Sequence, residues 1–201
     1  MQKAIRSVRR HAAEFLRRFR QHDYEVMDGG LYFPRSRLAA CGAYALRQAD
    51  GSWQEVPNLV TLQGREYLLK TALGGQAAQA GWYLALFGSD YTPTDALTAA
   101  AFPVAAGEIV SATDGYSDAT RRPWQPGPVS NAEMSNEASP ATFNIVTPRD
   151  AVDVYGAALL SAQARGSTDG VLLSAARFRV RKQFENGEPV VLRYRVYLLP
   201  E

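Results

Sequence analysis

Apolar positions near the start of the chain recur at helical spacing. Ile5, Val8, Ala12, Phe15, Leu16 and Phe19 recur at spacings of three and four. At 100° per residue they share an arc of about 100°, and arginines occupy most of the remaining circumference. The spacing predicts an amphipathic helical arm over residues 1–23. Its apolar stripe needs a partner, because so short a helix is marginal alone in water. Packing on its own body and docking on a neighbouring subunit both meet that need.

After Asp28-Gly29-Gly30 the period changes from helical to extended. Leu31 to Leu46 reads as strand, broken at Pro34, and Asp50-Gly51 before Trp53–Val56 marks a hairpin. A helix is expected from Thr61 to Leu73, with Leu62, Leu69 and Leu73 inward and Gly74-Gly75 as its stop. Gly64 inside it costs about 1 kcal/mol against alanine. Trp82–Phe87 is a continuous apolar run, suited to a strand buried on both faces. Residues 89–107 read as a long surface loop with one helical turn near Asp95–Ala101. Short extended pieces separated by turns follow from Glu108 to Asn144, with breaks at Asp114-Gly115 and Pro126-Gly127-Pro128.

Val152–Leu160, Val171–Val180 and Val190–Leu199 are the clearest strands, and Asp169-Gly170 and Asn186-Gly187 are read as short turns between them. In the last strand Leu192, Tyr194, Val196 and Leu198 alternate with Arg193, Arg195 and Tyr197, giving one buried and one outward face. At least seven strands, one helix inserted early and no βαβ alternation predict a mainly β body over residues 24–201. The expected fold is an antiparallel β-sandwich with one inserted helix and an N-terminal amphipathic helical arm.

Composition changes this picture in two places. The formal net charge of +2 over 201 residues hides an asymmetry. Residues 1–22 carry Lys3, Arg6, Arg9, Arg10, Arg17, Arg18 and Arg20 against Glu14 alone, a net +6, and the other 15 basic and 19 acidic residues leave −4. A strongly basic arm on a mildly acidic body suits nucleic acid, a membrane surface or an acidic protein as partner. The acidic body argues against broad nucleic-acid binding. Cys41 is the single cysteine, so no disulfide or thiolate metal cluster forms within one chain, and it reads as a small buried strand residue. No apolar run reaches about 18 residues, so no transmembrane helix is expected. The N-terminus lacks the apolar core of a secretory signal, although an arginine-rich, acid-poor start also resembles a mitochondrial presequence. A cytoplasm, or a particle assembled in one, is the expected setting.

The catalytic inventory is poor. His11 and His22, the two histidines, lie in or beside the arm, away from any rigid scaffold. No G-x-S-x-G, G-x-x-x-x-G-K-[ST] or H-E-x-x-H pattern occurs. ALGGQAAQAG, residues 72–81, neither follows a strand nor opens a helix, so it reads as a helix stop rather than a phosphate cradle. The carboxylate pairs Glu133/Glu137, Asp114/Asp118 and Asp150/Asp153 sit in polar, turn-rich stretches where solvated side chains are the default. A carbohydrate-active enzyme or lectin would need the fold to bring two carboxylates face to face. No catalytic residue, cofactor or metal ligand is therefore assigned, and no enzyme is expected. Arg121-Arg122-Pro123-Trp124 is the most distinctive cluster, composed of residue types that dominate interface hot spots. A core tryptophan with flanking surface arginines explains it equally well.

Several stretches taken together carry a resemblance: GGLYFPR (29–35), VPNLVTLQGREYLLKTALGG (56–75), GWYLALFGSDYTPT (81–94), ATRRPW (119–124) and VYGAALLSAQARGSTDGVLLSAARF (154–178). Their order along residues 24–199 resembles a group of structural proteins of tailed bacteriophages of Gram-negative hosts. The resemblance implies a virion component, a capsid decoration or cement protein, assembled in the host cytoplasm. It supplies no catalytic residue. The implied partners are the major capsid protein or other virion proteins and further copies of the chain, with no membrane. The candidate interface residues are Ile5, Val8, Phe15, Leu16, Phe19, Arg17 and Arg18 of the arm, with Arg121, Arg122 and Trp124 of the body. A head–tail connection, tail or fibre-attachment protein is the alternative, and a nucleic-acid- or membrane-binding module acting through the arm is a lesser one.

Overall fold

The computed structural model describes residues 25–27, 30–32 and 38–200. The expected arm, and the expected boundary at residue 23, fall outside the described residues. One unit takes in residues 1–39 with 200–201; its described residues are a two-stranded antiparallel ribbon of β1 (Glu25–Met27) and β2 (Gly30–Tyr32), together with Leu38, Ala39 and Pro200 at strand ends. Residues 40–199 form the other unit, the body.

The body is the expected antiparallel sandwich with one inserted helix. Its first sheet runs β4 (Trp53–Pro57), β3 (Leu38–Arg47), β13 (Pro189–Pro200), β10 (Ala141–Val146) and β7 (Gly115–Tyr116), and β9 (Glu133–Ser135) also pairs with β13. The second runs β5 (Leu59–Val60), β12 (Leu172–Phe184), β11 (Val152–Leu160), β6 (Tyr83–Phe87) and β8 (Arg122–Pro123). Alternation decides which side chains meet between them. Tyr44, Leu46, Phe143, Ile145, Val190 and Leu192 from the first sheet join Leu84, Leu86, Val154, Leu159 and Phe178 from the second in one core cluster. A polar thread crosses this core. Ser174 Oγ and Asn58 Nδ2 both donate to the Tyr194 hydroxyl, at 3.0 and 3.1 Å, and the Tyr44 hydroxyl donates to Ser174 O at 3.2 Å. Burial pushes the Tyr44 and Tyr194 hydroxyls well above the ordinary tyrosine range.

The inserted helix, α1 (Leu62–Ala72), begins where expected. The Thr61 hydroxyl caps it by accepting from Gly64 N at 3.1 Å, and donates to Leu172 O at 2.7 Å. Its orientation differs from expectation. Leu62, Leu69 and Leu73 face solvent, while Gly64 and Tyr67 are the buried positions. Gly64 explains the inversion: a Cβ there would lie 2.3 Å from Leu173 O. The glycine lets helix and strand backbones touch, and that contact fixes which face turns inward. Tyr67 then stacks edge-on against Trp82, ring centroids 5.3 Å apart.

The segment 89–107 also departs from a plain surface loop. Leu97, Ala99, Phe102 and Ala106 are buried and form a second cluster with Ala85, Phe87, Ala158, Leu160, Leu172 and Ala175 of the second sheet. It ends in one π-helical turn, Pro103–Gly107. β6 is thereby covered on both faces, as its unbroken apolar run predicts.

The two glycine turns near the C-terminus do different work from the hairpins expected. Residues 161–171 separate β11 from β12, so Gly170, at φ +82°, sits inside a loop rather than a two-residue turn. Asn186-Gly187 joins β12 to β13, which belong to different sheets. Gly187 N donates to Ile145 O at 2.9 Å and the Asn186 side chain accepts from Thr147 N at 3.1 Å, which makes it a corner between layers. Leu198, expected inward, is 41% exposed, and Cys41 is half-buried rather than buried.

Candidate interaction surface

Arg121, Arg122 and Trp124 share a short sequence but not a surface. Arg121 has no solvent exposure. Its Nε and Nη2 donate to Glu108 Oε1 and Oε2, each at 2.7 Å, while Nη1 reaches Ala162 O at 2.9 Å and Nη2 reaches Ser167 O at 3.2 Å. Gly166 N completes the carboxylate at 3.1 Å. One bidentate pair thus ties the segment after the π-turn, the start of β8 and the β11–β12 loop into a knot. Trp124 is a core residue: Nε1 donates to Tyr194 O at 3.2 Å and its ring lies edge-on to Tyr194 at 5.5 Å. The core reading of the cluster therefore holds for Trp124. Arg121 is neither an interface residue nor a flanking surface arginine, because it is fully enclosed. Arg122 alone keeps surface access, paired with Asp118 at 2.7 Å. The arm candidates Ile5, Val8, Phe15, Leu16, Arg17, Arg18 and Phe19 lie outside the described residues.

Every carboxylate of the three acidic pairs except Asp150 meets an arginine. Asp114 bonds Thr147 at 2.7 Å and Arg149 at 2.8 Å, and Arg149 first, then Thr147, holds its carboxyl below the usual range. Asp153 meets Arg181 at 3.2 Å, and Glu137 meets Arg193 at 3.0 Å. Among the described residues no group of three or more His, Cys, Asp or Glu is placed to hold a metal ion, and no helix is long and apolar enough to cross a membrane.

What the fold does assemble is the outer face of the first sheet. β13 turns Arg193, Arg195 and Tyr197 outward, as its alternation predicts. The Arg193 guanidinium lies 3.8 Å from the Trp53 ring centroid, and Arg195 lies 5.3 Å from that of Tyr197. Arg195 also bonds Glu55 and sits 3.7 Å from Glu133. Glu55 accounts for most of the rise in the Arg195 guanidinium above its ordinary value. Ala43 and Ala45 of β3 floor a shallow hollow of about 150 Å³ between these walls. A larger open cleft of about 420 Å³ lies at the end of the sandwich, between Arg47 and Gln48 at the end of β3 and Lys182, Phe184 and Glu188 around the inter-sheet corner. Sequence reasoning marked the outward residues of β13, read Trp53 only as a hairpin strand residue and Glu133 only as one of a solvated pair, and missed Glu55. Their signal lies in strand pairing, since Arg47↔Trp53 and Tyr197↔Glu133 register bring distant segments together.

No protein-family model matches the chain, and a search of curated proteins finds no significant match.

Proposed function

We propose that the chain is a non-enzymatic structural component of a tailed-bacteriophage virion. In this reading it is a capsid decoration or cement protein, a homo-oligomer whose partners are the major capsid protein or other virion proteins. The basic arm docks on a neighbouring protein. The observation that carries this reading is the outer face of β4, β3 and β13. It displays arginine, tryptophan and tyrosine, already held in place by stacking and by Glu55, Glu133 and Glu137. Side chains fixed before contact lose less entropy on binding, and these residue types supply large, geometrically specific contact. The ordered stretches quoted from residues 29–178 support the virion setting. The arginine-paired carboxylates support binding over turnover.

Mass spectrometry and electron microscopy of purified particles of the encoding phage test the reading. Stoichiometric presence with density on the capsid lattice is expected. Density at the connector or tail moves the protein to the head–tail alternative, and absence from particles overturns the virion reading. Trp53→Ala is expected to lower particle occupancy about 30-fold at limiting protein, the loss typical of a hot-spot tryptophan. In the arm, Phe15→Ser with Phe19→Ser is expected to cost more occupancy than Arg17→Gln with Arg18→Gln. Only the arginine loss shrinks in high salt, because exposed charge is screened.

A further inference from the structure

The seam that α1 turns to solvent has a built-in symmetry. Leu62, Glu66, Leu69 and Leu73 follow at spacings of four, three and four, which read the same in both directions. Leu62, Glu66 and Leu69 lie on one stripe of the helix, Leu73 follows as its C-cap residue with its N–H bonded to Leu69 O at 2.9 Å, and the leucines are 48%, 61% and 84% exposed. Lys70 stands beside Leu69 and bonds Glu66 at 3.0 Å, with both side chains more than half exposed. The stripe is rigidly mounted. Besides the Thr61 cap and the Gly64 contact, Gln63 Oε1 accepts from Ala99 N and Leu172 N, each at 2.9 Å, and Arg65 pairs with Asp95 at 2.8 Å.

We infer that this stripe is a self-association surface, and that its occupant is α1 of a second copy, packed antiparallel about a two-fold axis. An isologous contact requires a patch complementary to its own rotated image. Turning the stripe end over end places Leu62 on Leu73 of the second copy and Leu69 against Glu66. It also brings each Lys70 beside the other copy's Glu66, so both intrachain ion pairs become shared between copies. The leucines alone cover less than the roughly 800 Å² per partner of a standard interface, so the dimer is weak and concentration-dependent. The surface gives the homo-oligomer of the proposed function a physical seat. It rests on that reading only for its setting: solution dimerisation tests the surface and particle occupancy tests the virion role, and either fails alone.

Sedimentation velocity of the full chain across a concentration series is the experiment. The native chain is expected to show a reversible monomer–dimer equilibrium, and Leu69→Asp to weaken association at least about tenfold with an unchanged thermal midpoint, since the residue is exposed. The decisive arm uses Glu66→Lys and Lys70→Glu. Each variant alone places like charges across the axis and stays monomeric, while an equimolar mixture restores opposite charges at both contacts and dimerises. A full chain carrying Phe15→Ser and Phe19→Ser keeps the dimer. A monomer at every concentration, a mixture that fails to associate, or a dimer lost only with the arm phenylalanines overturns the inference; the last result assigns self-association to the arm.

Discussion

Replacing Arg121 separates a structural from a surface role more sharply than any other single change. In Arg121→Met the Glu108 carboxylate loses both guanidinium bonds and keeps Gly166 N, inside a site where both side chains have no exposure. The carbonyls of Ala162 and Ser167 lose their donors as well. Breaking a buried pair from one side typically costs about 3–5 kcal/mol. Domains of this size are stable by about 5–15 kcal/mol in total, so the loss is a large share. Glu108→Gln in the same chain removes the stranded charge, and the double variant is expected to recover at least about 1 kcal/mol over Arg121→Met. Urea denaturation, read by tryptophan fluorescence, measures the native chain, Arg121→Met, Glu108→Gln alone and the double variant. A cost of less than about 1 kcal/mol for Arg121→Met, or a double variant that loses the sum of the two single losses, would rule out the buried knot as a stabilising pair. Weakened docking at unchanged stability would instead return Arg121 to the surface.

Other consequences can be checked with the same denaturation assay. Among the described residues no group hydrogen-bonds the buried Tyr116 hydroxyl, so Tyr116→Phe is expected to leave stability unchanged or raise it by about 1 kcal/mol. Tyr194→Phe, which leaves Asn58 Nδ2 without its acceptor and Ser174 Oγ with the Tyr44 hydroxyl as its remaining partner, is expected to lose about 1–3 kcal/mol; equal losses at the two sites would contradict the bonding described. Burial raises Tyr44, Tyr116 and Tyr194 above the unfolded value, so their neutral-state stabilisation is whole below about pH 10 and is lost as pH climbs toward the folded values. A urea midpoint that stays flat to about pH 11 would count against it. Gly64→Ala should destabilise by about 1–3 kcal/mol although alanine favours helices, because the new Cβ meets the Leu173 backbone; a gain would mean that α1 slides freely on β12.

The parts legible in the sequence are those governed by local period. β6, β11 and the Trp53 hairpin are read directly, because apolar runs and an Asp-Gly turn act over a few residues. The orientation of α1 was not legible. Leucine spacing pointed inward, and the deciding contact, Gly64 against Leu173, is non-local. The same holds for 89–107, where Leu97 and Phe102 are too widely spaced to show a period yet cover the second sheet. At the candidate surface, Arg193 and Arg195 were readable from alternation, while Trp53 and Glu133 needed the strand order. Arg121 misled because an arginine beside a tryptophan has the same letters in a buried knot as at an interface.

The position of β13 has a consequence for the order of synthesis. It lies between β3 and β10, so the middle of the first sheet is made last. Asn58, emerging early, waits for Tyr194, 136 residues later, before their bond can form. At about 5–20 residues per second that interval is on the order of ten seconds. Throughout it, β3 and β4 exist with the β13 flank of β3 unpaired, although every strand of the opposing second sheet is made before β13. A nascent chain in this condition is a natural client for a holdase, and a premature stop anywhere before β13 leaves a sheet without its centre. Ribosome-bound chains arrested just short of Pro189 would therefore be expected to remain protease-sensitive along β3, and to become resistant once the final strand clears the exit tunnel.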